Sequence, residues 1–113
     1  MYLDRADVLA VLADIAAGAA PGTAVVFDYV VSPAAVADPA IRGRYEALAA
    51  RLAAIGEPWR SFFDPHELDQ ALRRAGFAQV WDWDGAALDA RYFAGRRDGL
   101  GVGPTAHLIA AIV

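Results

Sequence analysis

Gly56-Glu57-Pro58-Trp59-Arg60-Ser61-Phe62-Phe63-Asp64-Pro65 begins where one helix must stop and ends where another must start. Gly56 suits the left-handed position just past a helix, and Asp64-Pro65 suits the cap and first residue of the next. Between them Trp59, Phe62 and Phe63 crowd around a single cation, Arg60. An exposed loop gains nothing from large apolar side chains, so this one is covered or covers something. Two readings stand: a lid or pocket wall, or a hydrophobic plug that ties two helices together.

Working outward, the helix after the loop carries a capping box, with Asp64 at the N-cap, Pro65 at N1 and Glu67 at N3. Leu68, Ala71, Leu72 and Ala75 face inward. Arg73 and Arg74 suit its negative end, and Gly76 stops it. His66 falls in the first turn, exposed and without a chemical role. The helix before the loop spans Pro39 to Ile55. Its Ile41, Tyr45, Leu48, Leu52 and Ile55 step by four, three, four and three, a narrow stripe for packing on a neighbour. Further out, Asp4 caps a first helix with the stripe Val8, Val11, Leu12 and Ile15, ended by Gly18 and Pro21-Gly22.

Thr23 to Val31 is the clearest strand, apolar on both faces, which predicts a central strand covered on both sides. Asp28 is its exception. Ligands in open α/β sheets bind beyond the carboxyl ends of strands, so Asp28 holds a substrate or cofactor hydroxyl, or bonds nearby backbone. Phe77 to Trp83 is a second strand, with Phe77, Gln79, Trp81 and Trp83 on one face and Ala78, Val80 and Asp82 on the other. A buried indole N–H needs a partner, so these tryptophans border a polar pocket or pack in the core or at an edge. A short helix, Ala86 to Phe93, follows. The loop Arg96 to Thr105 holds Gly99, Gly101 and Gly103, but not at the spacing of a phosphate-binding turn. His107 to Val113 closes the chain as a short buried strand. Helices alternating with strands predict an α/β fold with helices flanking a sheet.

Composition bounds the function. The 113 residues suit one domain, and 58% of them are hydrophobic, with mean hydropathy +0.31. That excess in a small domain points to surface meant for a partner, a second subunit or a missing part of the same fold. No run reaches the roughly 18 apolar residues of a membrane span. Met1-Tyr2-Leu3-Asp4-Arg5 does not read as a signal peptide. The net charge is −4, and all 10 basic residues are scattered arginines, a pattern that does not support nucleic-acid binding. The absence of cysteine excludes disulfides and thiolate metal sites, and fits a cytoplasmic protein. The histidines, His66 and His107, lack metal-ligand spacing, and the sequence displays no histidine–carboxylate constellation.

Taken in order, Met1-Tyr2-Leu3 leading into a helix, Pro21-Gly22-Thr23 leading into a strand, the Gly56–Pro65 stretch, Arg91-Tyr92-Phe93 and Ala106-His107-Leu108 resemble the C-terminal part of the leucine carboxyl methyltransferase-like family. These are class I, S-adenosylmethionine-dependent methyltransferases. The resemblance covers the whole chain and implies the C-terminal half of a Rossmann-like fold. Its sheet would be three-stranded and mixed, in spatial order 23–31, 107–113, 77–83, with the last strand antiparallel to its neighbours. It further implies that the N-terminal cofactor-binding half, with its glycine-rich turn and ribose-binding acid, lies outside this sequence. Met1 then corresponds to an internal methionine of the family fold, and the chain alone lacks a complete cofactor site. By resemblance Tyr2 and Asp28 lie beside S-adenosylmethionine. Trp59, Arg60, Phe62, Phe63, Arg91 and Tyr92 would wall the pocket of a small-molecule or carboxylate acceptor. The open edge of strand 23–31 would pair with a second copy, as a homodimer, or with a separate N-terminal half. The alternative is a non-catalytic dimerisation or regulatory module of the same descent.

Overall fold

A computed structural model describes residues 2–113, so the reading of Met1 lies outside the described residues. The elements are α1 (Arg5–Gly18), β1 (Ala24–Val30), a 3-10 turn (Pro33–Ala35), α2 (Pro39–Ala54), α3 (Pro65–Ala75), β2 (Gln79–Trp83), α4 (Gly85–Leu88), which runs on as a π-helical turn (Asp89–Phe93), and β3 (Ala106–Ile112). The strands form one sheet in the order β1-β3-β2. Both ladders are antiparallel. Among the described residues the sheet is therefore antiparallel, where a mixed one was expected. β1 and β2 run the same way only because each opposes β3.

Local chemistry accounts for the ends of the helices. Asp64 accepts from the backbone N–H groups of His66 (2.9 Å) and Glu67 (3.0 Å), and Pro65 starts α3. The Glu67 carboxylate pairs with Arg5 instead of closing the expected capping box. Asp38 caps α2 in the same way, accepting from Ala40 and Ile41. At its far end Glu57 N–H donates to Leu52 O (2.9 Å) and Gly56 N–H to Ala53 O (3.1 Å), with Gly56 at φ 85°. That is the glycine-dependent stop read from the sequence. Asp4 sits at the N-cap of α1 with extended backbone, but its side chain makes no capping bond.

α1 and α3 cover one face of the sheet. Val25, Phe27 and Tyr29 of β1 share that face with His107, Ile109 and Ala111 of β3 and with Val80 and Asp82 of β2, by register. Against them pack Leu12 and Ala16 of α1, Leu68 and Leu72 of α3, and Phe63 and Phe77. Phe77 precedes β2 and turns into this core, instead of lying on the face of Trp81 and Trp83 as strand alternation from Phe77 implied.

The other face is thinly covered. Val26 is 60% exposed and Trp81 is 42% exposed, so β1 is not the doubly buried central strand its apolar run suggested. Val31 N–H donates to Thr105 O and Val113 N–H to Thr23 O. The odd residues of β1 therefore face β3, and Ala24, Val26, Asp28 and Val30 turn their backbone groups to the outer edge. There Val30 O accepts from Phe63 N–H at 3.1 Å. Among the described residues the outward groups of Ala24, Val26 and Asp28 have no partner.

α2 buries no residue. Its apolar stripe meets the chain through Ile41, Tyr45 and Leu48, which border a shallow groove with Pro104. The glycine loop is fixed by close approaches. The Asp89 carboxylate accepts from Val102 N–H at 2.6 Å. A Cβ on Gly85 would lie 2.6 Å from Gly103 O. Among the described residues no helix is long and apolar enough to cross a membrane.

Candidate functional site

The carboxyl ends of β1 and β2 and the start of β3 meet at one end of the sheet. Three polar side chains from three strands converge there on the helix-covered face. Tyr29 stands opposite His107 in the β1–β3 register, and Asp82 lies diagonally across β3 from His107. The Tyr29 hydroxyl donates to Asp82 Oδ2. His107 Nδ1 lies 2.9 Å from Asp82 Oδ1 and 3.1 Å from Tyr29 Oη. The rings of Tyr29 and His107 are 5.1 Å apart between centroids. This is a histidine–carboxylate pair, which the sequence reading had found absent.

The proton positions follow from what each group can do. An ionised carboxylate only accepts, so Nδ1 carries the hydrogen and donates to Asp82. In the neutral imidazole Nε2 is then the acceptor. Among the described residues Nε2 makes no hydrogen bond, and no sealed side-chain nitrogen or oxygen lacks a partner, so Nε2 is open to solvent. Tyr29 is 5% exposed. Burial pushes its phenol well above the usual range, reinforced by the bond to Asp82 and by the charges of Asp82 and Asp64.

His107 faces a cleft of about 440 Å³ whose walls include Arg5, Ser32, Phe62, Phe63, Glu67 and Pro104. The Arg5 guanidinium lies 5.3 Å over the Phe63 ring and bonds Glu67 at 2.8 Å. On the other side of Phe63 an apolar cavity of about 280 Å³ runs along the open edge of β1, between α1, Ser61 and Phe63, with Asp28 on its rim. The Asp28 carboxylate makes no hydrogen bond among the described residues, so the backbone-bonded reading of it is not seen.

The residues singled out from the sequence separate into groups. Phe62 and Phe63 wall the cleft. Phe63 is also a core residue, so the aromatic stretch acts as both plug and wall. Trp59 packs edge-on to Phe62 at 6.1 Å. Arg60 is exposed and lies 3.8 Å from Asp4, away from the cleft lining. Arg91 and Tyr92 lie across the sheet, in a groove with Val26, Trp83, Leu108 and Ala110. They do not meet Phe63. Tyr2 is exposed at the start of the described chain.

No family model matches the chain. It is 26% identical over 111 residues to "Putative S-adenosyl-L-methionine-dependent methyltransferase YktD" of Bacillus subtilis (strain 168). The likeness supports a methyltransferase. It covers 98% of this chain and 36% of that protein, so the chain spans about a third of the length of the relative it matches.

The residues present fit part of S-adenosylmethionine. The cavity beside β1 offers apolar walls suited to a flat ring, with Asp28 at its edge. Among the described residues it offers no cation for the carboxylate end of that cofactor. No cluster of three or more metal-ligating side chains occurs among the described residues.

Proposed function

We propose that the chain is the acceptor-side part of an S-adenosylmethionine-dependent methyltransferase that methylates oxygen on a small molecule. The observation that carries the reading is the His107 cleft at the carboxyl ends of β1 and β2, in a chain similar over nearly its whole length to such an enzyme. When bound, the cofactor supplies a methyl carbon activated by a sulfonium. The chain's own residues do the rest. Phe62 and Phe63 exclude water from the acceptor, and the paired Arg5 and Glu67 close one wall. Asp28 and the cavity beside β1 take one flank of the cofactor, and Phe63 borders both that cavity and the cleft. Alignment in such a displacement supplies much of the rate. The remainder of the cofactor site comes from sequence outside this chain, in line with its 36% coverage of the relative. Calorimetric titration with S-adenosylmethionine tests this. Weak or absent binding by the chain alone is expected, with saturable binding once a polypeptide matching the rest of the relative is added. No binding by the pair would sink the reading.

One observation favours a second reading, a dimerising or regulatory module: the open edge of β1. An exposed apolar edge strand pairs readily with another chain. The same edge would serve a homodimer or a separate N-terminal half. Val26→Pro discriminates, because the N–H it removes points outward and the β1–β3 ladder keeps its bonds. A dimer through this edge is expected to become monomeric in light scattering with its circular dichroism retained. A dimer that survives Val26→Pro would place the contact elsewhere.

A further inference from the structure

Among the described residues the cleft holds an ordered proton acceptor, and the one cation in its lining, Arg5, is paired. Arg5 is bonded to Glu67 at 2.8 Å, and the Asp64 carboxylate caps α3. The charged and titratable groups facing His107 are Tyr29 from β1, Asp82 from β2, Asp84 at the head of α4, Arg5 from α1, and Asp64 and Glu67 at the start of α3. A carboxylate acceptor would meet more negative than positive charge here, since the charge of Arg5 is already balanced by Glu67. A neutral hydroxyl meets no such penalty, but it must lose a proton to become a good nucleophile.

We infer that His107 Nε2 accepts the proton of a neutral hydroxyl on the acceptor molecule, a phenol or an alcohol, with Asp82 and Tyr29 as positioning residues. This rests on the methyltransferase reading. The acceptor O–H bond breaks and its proton passes to the Nε2 lone pair. The oxygen pair forms the new O–CH₃ bond as the methyl carbon leaves the sulfonium sulfur, which keeps the S–C bonding pair. The imidazolium returns its proton to solvent through the open cleft. The Asp82 carboxylate holds the Nδ1–H tautomer, which leaves Nε2 able to accept. The hydroxyl of Tyr29 occupies the second oxygen of Asp82, so the carboxylate is held from two strands and cannot swing away from the imidazole. The side chains of His107 and Asp82 are 13% and 22% exposed, dry enough to be ordered and open enough to be reached.

The test needs no cofactor. The ¹⁵N-labelled chain is titrated with 4-nitrophenol, buffered below the pH at which the free phenol ionises. Saturable growth of the phenolate absorption is expected, with the His107 Nε2 resonance moving from its acceptor position toward the protonated one. His107→Asn keeps a donor near Nδ1 for Asp82 and deletes Nε2, so it is expected to abolish the phenolate signal. Asp82→Asn is expected to shift the resting tautomer and weaken that signal. If either variant fails to fold, the native titration decides alone. A phenol that binds without moving Nε2, or that does not bind, overturns the inference. With the complementing polypeptide and S-adenosylmethionine, His107→Asn is expected to slow methylation of weakly acidic phenols by about 10²-fold or more. It should spare acceptors that are already ionised, and equal slowing of both would overturn the inference. Failure to bind S-adenosylmethionine, with the Nε2 response intact, would sink the methyltransferase reading and not the proton acceptor.

Discussion

Leu68→Ala is expected to destabilise the chain by about 2–5 kcal/mol, seen as a lower urea midpoint at unchanged m-value. Leu68 is fully buried on α3, one turn before the nearly buried Leu72. Both belong to the same buried cluster as Tyr29, Ile109 and Ala111 of the sheet and Leu12 and Ala16 of α1. Truncation removes the transfer free energy of the lost carbons and leaves a hole that helices on one side and a sheet on the other close only in part. Domains of this size hold roughly 5–15 kcal/mol in all, so a large share of the total would go. Leu48→Ala is the control. It removes a similar side chain from α2, a helix that buries no residue, and is expected to change stability by about 0.5 kcal/mol or less. If the two variants behaved alike, α3 would not be seated on the sheet as described.

The same contrast explains what the sequence made legible. α3 was readable end to end, because Asp64, Pro65 and Gly76 act on backbone within a few residues of themselves. β1, β2 and β3 were readable to within a residue or two, from β-branched and aromatic runs bounded by turn residues. What surrounds each element was less readable. The stripe on α2 is as regular as any in the chain, yet none of its residues is fully buried, since periodicity marks an apolar face without fixing how deeply it packs. The apolar run of β1 likewise signalled burial on both faces, while Val26 stands 60% exposed beside an open edge. Both features are apolar surfaces that the described residues leave uncovered.

The candidate site was the least legible part. Tyr29 and Asp82 are 53 residues apart, and Asp82 and His107 are 25 apart. No spacing rule joins them, because the β1–β3 and β3–β2 registers set their meeting. A signal was present all the same. Asp82 alternates onto the face of Val80, Tyr29 onto that of Val25 and Phe27, and His107 onto that of Ile109 and Ala111. Polar side chains at core-facing positions of three strands must find partners. Asking which of them could satisfy one another would have suggested the trio. Arg60, by contrast, lies outside the cleft lining, with Asp4 3.8 Å away.

Stability is expected to fall above about pH 10 by about 1.4 kcal/mol per pH unit, and Tyr29 is the cause. Burial is the chief reason its phenol stays protonated, and the bond to Asp82 and the nearby carboxylates add to it. The unfolded chain releases that proton near pH 10, the ordinary value for a phenol. Above that pH the folded state binds one proton more than the unfolded state, so raising the pH favours unfolding. Below it both states carry the proton, and the stabilisation is fully present. The chain suits this measurement, because it has neither lysine nor cysteine. Between about pH 9 and 12 few side chains other than its tyrosines can titrate. Urea unfolding of the native chain and of Tyr29→Phe across that range gives the difference directly. At pH 8 the variant is expected to be less stable by about 1–3 kcal/mol, the loss of a buried bond to a carboxylate. As pH rises the two stabilities should converge, because phenylalanine has no proton to keep. Parallel curves would mean that the Tyr29 hydroxyl ionises as freely in the folded chain as in the unfolded one. It would then not be locked against Asp82, and the ordered imidazole of His107 would lose half of its support.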